Sequence, residues 1–183
     1  MIAGRVKKIG IISILFAALC GASFYYYYSP EKGPIYDFNP VTDTQPILDI
    51  FDQNRYWLLS NPESSPAFMI KHRTPSEDTR YFGALKIKVL REDGRLAGFI
   101  TYYKQNPQDY QLLFLAVGHE FRGKHYAHML AQYAIDDMIR MGATRIWLCT
   151  RVSNHAAQKI YKNLGFTEFF HDPEGYLYFE RYV

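Results

Sequence analysis

The chain has 183 residues, 48% of them apolar and 21% charged, which fits one folded domain with a continuous core and excludes a disordered chain. Its formal net charge is +3. Arg5, Lys7 and Lys8 account for all of that charge, so the remainder is formally neutral; this excludes a broad electrostatic footprint for nucleic acid, and Cys20 and Cys149, in unlike surroundings, give no disulfide framework.

Residues 1–28, "MIAGRVKKIGIISILFAALCGASFYYYY", put three cations ahead of an uncharged run from Ile9 to Tyr28. That run is about the length a helix needs to cross the hydrocarbon, and a row of tyrosines suits the interface beyond it. The expectation is an N-terminal transmembrane helix, with the membrane as partner through residues 9–28. A cleaved signal peptide is the rival reading, because Ile9 to Cys20 alone has the length of a signal's apolar region and small residues follow. A helix of the domain core is the third.

Residues 29–44, dense in Pro, Gly and Asp, read as a linker, which places the domain at 45–183. Ile47, Ile50, Phe51, Trp57 and Leu58 form a helical stripe. "PAFMIKH" predicts a short strand. "ALKIKVLREDGRLAGFITYYKQ" predicts a hairpin turning at "EDG", and "DYQLLFLAV" a buried strand. A helix follows over "KHYAHMLAQYAIDDMIRM", facing inward with Tyr126, Leu130, Tyr133, Ala134, Met138 and Met141, and ended by Gly142 as a left-handed cap. Then come the strand "TRIWLCTRV" and the helix "NHAAQKIYKNLG", capped by Ser153 or Asn154 and stopped by Gly165. The strands "FTEFFHD" and "YLYFERYV" flank the turn "PEG". This order is mixed α/β with an antiparallel start.

The segment "EFRGKHYA", 120–127, lies where a strand gives way to a helix. Backbone N–H groups at a helix start are unpaired and sit at the positive end of the macrodipole. They attract anions when small residues let a phosphate approach. Gly123 and Ala127 supply access, and Arg122 and Lys124 supply charge. By these mechanics the segment is either a pyrophosphate cradle or a solvated basic turn.

Together, "LAVGHEFRGKHYAHML" and "NHAAQKIYKNLGF" resemble the two signature segments of the GNAT family of acyl-CoA-dependent N-acetyltransferases. Arg122 and Ala127 match the ends of the first family pattern, while His125 stands where an inner glycine is expected. Asn154, Ala157, Tyr161, Gly165 and Phe166 match the second. The resemblance implies a mostly antiparallel sheet with one splayed parallel strand pair, acetyl-CoA as co-substrate and no metal. It implies that the backbone of Leu115, Ala116 and Val117 holds the pantetheine as an added strand. Residues Arg122, Gly123, Lys124, His125, Tyr126 and Ala127 would hold the pyrophosphate, and Asn154 the pantetheine arm. Tyr161 takes the position of the acid that protonates the leaving thiolate; by helix periodicity alone it is a core tyrosine, sharing a face with Ile160 and Leu164.

The implied acceptor is a primary amine of a small molecule, peptide or protein, attacked in a ternary complex. A non-catalytic acyl-CoA-binding module is the alternative. Relatives acting on protein N-termini often carry a glutamate on the strand before Asn154, and Cys149 stands there instead. His119, Glu120, Tyr110, His155 and Cys149 are the candidates for a base, and none is singled out. His119, His125 and His128 straddle the loop without the carboxylates or cysteines a metal site needs. Specificity in the family lies near Ile47 to Leu58 and in the last hairpin. Counting cations puts the domain outside the cytoplasm, where acetyl-CoA is not found, so the side of the membrane stays open.

Overall fold

The computed structural model describes residues 34–59, 64–75 and 83–183. The expected anchor, 1–28, lies outside them; among the described residues no helix is long and apolar enough to cross a membrane. The chain divides into two units, Met1–Ile35 and Tyr36–Val183, and the second carries the fold.

The helix expected from about Gln45 starts earlier. Strand β1 (Ile35–Asp37) is followed by α1 (Pro40–Gln53), so residues expected as linker belong to the folded unit. The Asn39 side chain accepts from the Val41 N–H at 2.9 Å, Pro40 occupies the first turn, and the Asp43 carboxylate accepts from the Asn39 N–H at 2.8 Å. This reciprocal cap starts the helix ahead of Pro46, which sits inside it. Asp43 is fully buried and is paired with Arg91. A four-residue helix α2 (Arg55–Leu58) continues the chain.

"PAFMIKH" is a helix, α3 (Pro66–His72), and the strand expectation is corrected. Ser65 caps it by accepting from the Phe68 N–H at 3.2 Å, proline takes the first position, and Arg73 ends it in the left-handed region at φ 53°. Serine followed by proline is a helix-start signal that an apolar run of five does not override.

Strands β2 (Lys86–Glu92) and β3 (Arg95–Lys104) form the expected hairpin. Asp93 and Gly94, at φ 50° and 76°, make the two-residue turn whose twist matches its strands. Strand β4 (Asp109–Val117) pairs antiparallel with β3, and β5 (Arg145–Arg151) lies parallel to β4. Strands β6 (Thr167–His171) and β7 (Tyr176–Tyr182) complete a seven-stranded sheet of order β1-β2-β3-β4-β5-β7-β6.

One face is covered by α1 and α3, whose Ile47, Ile50, Phe51, Met69 and Ile70 pack on Leu85, Ile87, Val89 and Phe99. The other carries α4 (Tyr126–Arg140), where Leu130, Ala131, Ala134, Ile135 and Met138 are buried. Tyr126, Tyr133 and Met141 are only half-buried there, a stripe rotated slightly from the expected one. Each large buried side chain contributes about 1.5–3 kcal/mol. Helix α5 (His155–Asn163) starts at Asn154, which accepts from the Ala157 N–H at 3.3 Å.

Candidate active site

Strands β4 and β5 are paired only at Asp109–Arg145, Tyr110–Ile146 and Gln111–Trp147. Beyond them the strands diverge. The divergence begins at a bulge in β4: the register with β3 slips between Thr101 and Tyr102, leaving Leu113 unpaired. The buried Thr101 hydroxyl accepts from the Phe114 N–H at 3.0 Å. A bulge bends its strand and raises the local twist, and a bonded bulge is a fixed feature. The β5-facing edge of β4 past Gln111 thus offers backbone groups to an extended ligand, and Leu115, Ala116 and Val117 lie along it.

A cleft of about 830 Å³ opens at the splay. At one end it is walled by Arg122, Gly123, His125, Tyr126 and Ala127. Gly123 and His125 are both left-handed, at φ 82° and 62°, so the chain curls before entering α4. The His125 side chain does not cap that helix, so its first N–H groups lack a side-chain cap, as a helix start that receives an anion requires. The glycine expected at 125 is explained by this backbone: a side chain in the left-handed region costs about 1–2 kcal/mol. Arg122 donates to the Asn54 carboxamide at 2.7 Å, tying the loop to the end of α1. Lys124 is turned elsewhere. Its ammonium bonds both Glu92 oxygens at 2.8 Å, the Tyr126 hydroxyl donates to the same carboxylate, and Glu92 is held below the usual carboxylate range by these two partners.

The cleft is also lined by Asn154, Ala157 and Tyr161 and, on β5, by Cys149 and Thr150. Asn154 uses its oxygen as the α5 cap, leaving its NH₂ for a ligand. Tyr161 is buried, with its ring against Phe166 and Phe179. Burial and the neighbouring Cys149 raise its pKa well above the ordinary phenol value, so it is a proton donor at neutral pH. Cys149 opens onto the cleft, yet desolvation by the walls and the nearby Asp172 push its thiol up to about 11. A thiol held protonated is a poor nucleophile. Alkylation of Cys149 by iodoacetamide should be slow at neutral pH and rise about tenfold per pH unit toward 11. Mass spectrometry of the Cys149 peptide reads this directly, and fast labelling at neutral pH would restore it as an acyl carrier.

A further wall of the cleft is formed by Trp57, Met69, Gln111, Asp172, Tyr176 and Tyr178. Arg151 fixes it: the guanidinium donates to the carbonyls of Tyr56 at 2.6 Å and Leu59 at 3.0 Å and lies over the rings of Tyr56 and Tyr176. Of the base candidates read from sequence, only Cys149 lines the cleft. Tyr110 donates to the Met141 carbonyl, and Glu120 accepts from Arg95. Asp172 escaped the sequence reading because "DPEG" is also what a tight turn requires.

The Acetyltransferase (GNAT) family profile matches residues 47–166. The chain is 32% identical over 124 residues to the [Ribosomal protein bS18]-alanine N-acetyltransferase of Salmonella typhimurium, covering 63% of this chain and 82% of that one. Among solved structures, the ribosomal-protein-alanine N-acetyltransferase of Brucella melitensis superposes with a TM-score of 0.67 at 14% identity, over 81% of this chain and 99% of its own. The Salmonella typhimurium protein yncA, solved with its cofactor acetyl-CoA, does so with a TM-score of 0.66 at 14% identity, over 81% and 92%.

Proposed function

The chain belongs to the acetyltransferase (GNAT) family of acetyl-CoA-dependent N-acetyltransferases, and from this premise we propose that it acetylates the free α-amine of a peptide or protein while tethered to a membrane by residues 9–28. The observation that carries the reading is the continuous cleft, lined both by the left-handed loop before α4 and by a carboxylate-bearing aromatic wall. A relative named for alanine N-acetylation supports an α-amine as acceptor.

The free edge of β4 and the open start of α4 suit the pantetheine and pyrophosphate of acetyl-CoA, which supplies an activated acetyl group as its thioester. The amine attacks the acetyl carbonyl directly, because the protonated Cys149 does not compete as a nucleophile. Tyr161 gives its proton to the sulfur as the carbon–sulfur bond breaks.

Incubating the full-length chain with acetyl-CoA and an alanine-leading peptide should yield a peptide heavier by one acetyl group, with one free CoA per transfer. Binding of acetyl-CoA without CoA release against peptides and small amines would leave the non-catalytic module. Gly123→Glu places a carboxylate and a strained left-handed residue beside the pyrophosphate. Its acetyl-CoA affinity by calorimetry should fall tenfold or more, about 1.4 kcal/mol; an unchanged affinity in the folded variant would take the loop out of the site. The tether predicts that the full-length chain sediments with membranes and resists carbonate extraction, and recovery of a mature chain beginning after Ser23 would show a cleaved signal instead.

A further inference from the structure

Transfer to an ammonium needs a group that removes a proton before attack, and the cleft wall narrows the choice. Among the described residues the acids on that wall are Asp172 and Glu174. Cys149 stays protonated, Tyr161, Tyr176 and Tyr178 have raised phenol pKa values, and His125 and His128 belong to the loop end of the cleft.

We propose that the Asp172 carboxylate binds the acceptor ammonium and takes its proton. Three observations carry this, and the proposal rests on the acetyltransferase reading above. Asp172 leaves β6 where the hairpin turns back to β7, and its side chain lines the cleft. The carboxylate is fixed on both oxygens, accepting from the Tyr176 N–H at 2.8 Å and from the Tyr178 hydroxyl at 3.2 Å. Tyr178 is the β7 residue directly opposite Cys149 on β5. The carboxylate is therefore held, through that phenol, beside the wall that carries Cys149 and Tyr161. Each oxygen keeps a lone pair for an incoming N–H donor.

Glu174 is exposed at the turn's tip and is less constrained. The groups facing Asp172 are Cys149 on β5, Tyr176 and Tyr178 on β7, and Glu174 in the turn; Arg151 lies over the Tyr176 ring.

The step balances without a further reactant. A proton moves from the ammonium nitrogen to a carboxylate oxygen of Asp172, and the freed lone pair forms the carbon–nitrogen bond at the acetyl carbonyl. The carbon–sulfur bond breaks, its electron pair goes to sulfur, and Tyr161 protonates it, while the nitrogen loses its second proton to solvent as the adduct becomes an amide. Solvent then removes the proton from Asp172 and returns one to Tyr161.

The plain alternative is that Asp172 only builds the turn, where the Gly175 N–H donates to its carbonyl at 3.2 Å. Asp172→Asn separates the two, since the carboxamide keeps the acceptor for Tyr176 but is not basic. On an alanine-leading peptide its kcat should fall by about 10²–10⁴, the worth of general base catalysis. On trifluoroethylamine, already unprotonated at neutral pH, the loss should shrink to a few-fold. Calorimetry should show weaker binding of the peptide's ammonium form with unchanged acetyl-CoA affinity.

Glu174→Gln should change kcat by less than about threefold. Equal losses of Asp172→Asn on both amines, or a larger loss in Glu174→Gln, would overturn the assignment. If the wild-type chain transfers to neither amine, the acceptor reading has failed separately. Acetyl-CoA hydrolysis then tests Asp172 with water as acceptor, and an unchanged rate in Asp172→Asn overturns it.

Discussion

Tyr161→Phe should lower kcat by about 10²–10⁴ while leaving acetyl-CoA affinity nearly unchanged. The substitution removes one hydroxyl and keeps a ring packed against Phe166 and Phe179, so the fold loses little. The phenol is firmly protonated in its buried site, which makes it a donor and excludes it as the base. A leaving thiolate has an ordinary pKa near 8.5, so the proton need only be shared as charge builds on sulfur. The core-tyrosine reading predicts the opposite pattern, a small loss of stability with normal turnover. A folded Phe variant that retains more than half the wild-type kcat, with chemistry shown to limit the rate, would remove the acid role.

The turn before α4, the hairpin and the α5 cap were legible because each is written in local chemistry. Asp93–Gly94 fits a left-handed turn, Asn154 is a helix-capping residue, and Gly123 precedes a helix. The α1 start was misread because residues 29–44 are dense in Pro, Gly and Asp, whereas Asn39, Pro40 and Asp43 together make a helix start. The strand read over Pro66 to His72 failed for the same reason, a cap at Ser65 outweighing an apolar run.

Asp172 was invisible for another reason. Its importance comes from sheet order: β7 pairs with β5, which brings the β6–β7 turn to the cleft, and no local pattern encodes that adjacency. The opening of Cys149 onto the cleft was not legible either, because alternation along β5 does not reveal that its partner β4 departs after Gln111.

Gly98→Val should destabilise the domain toward the upper end of about 1–3 kcal/mol, the cost of overpacking a filled site. Gly98 lies on β3 opposite Val117, at the end of β4 that borders the cleft. A Cβ there would stand 2.8 Å from the Ala116 carbonyl oxygen, 3.1 Å from Val117 Cγ2 and 3.2 Å from Leu130 Cδ1. Two terms oppose the loss. Valine suits a strand better by at most about 1 kcal/mol, and restricting the unfolded chain contributes about 0.4–1 kcal/mol.

The clash should win, because its nearest partner is backbone and cannot rotate aside. Relief requires β4 to move relative to β3 or α4 to lift from the sheet. Ala116 is part of the edge expected to hold pantetheine, so acetyl-CoA affinity should fall along with Tm. Thermal unfolding with calorimetry on the folded variant tests both. A raised Tm would mean that α4 yields readily at Leu130. A lowered Tm with unchanged affinity would mean that β4 keeps its edge while the helix moves, separating the sheet's contribution to the site from that of α4.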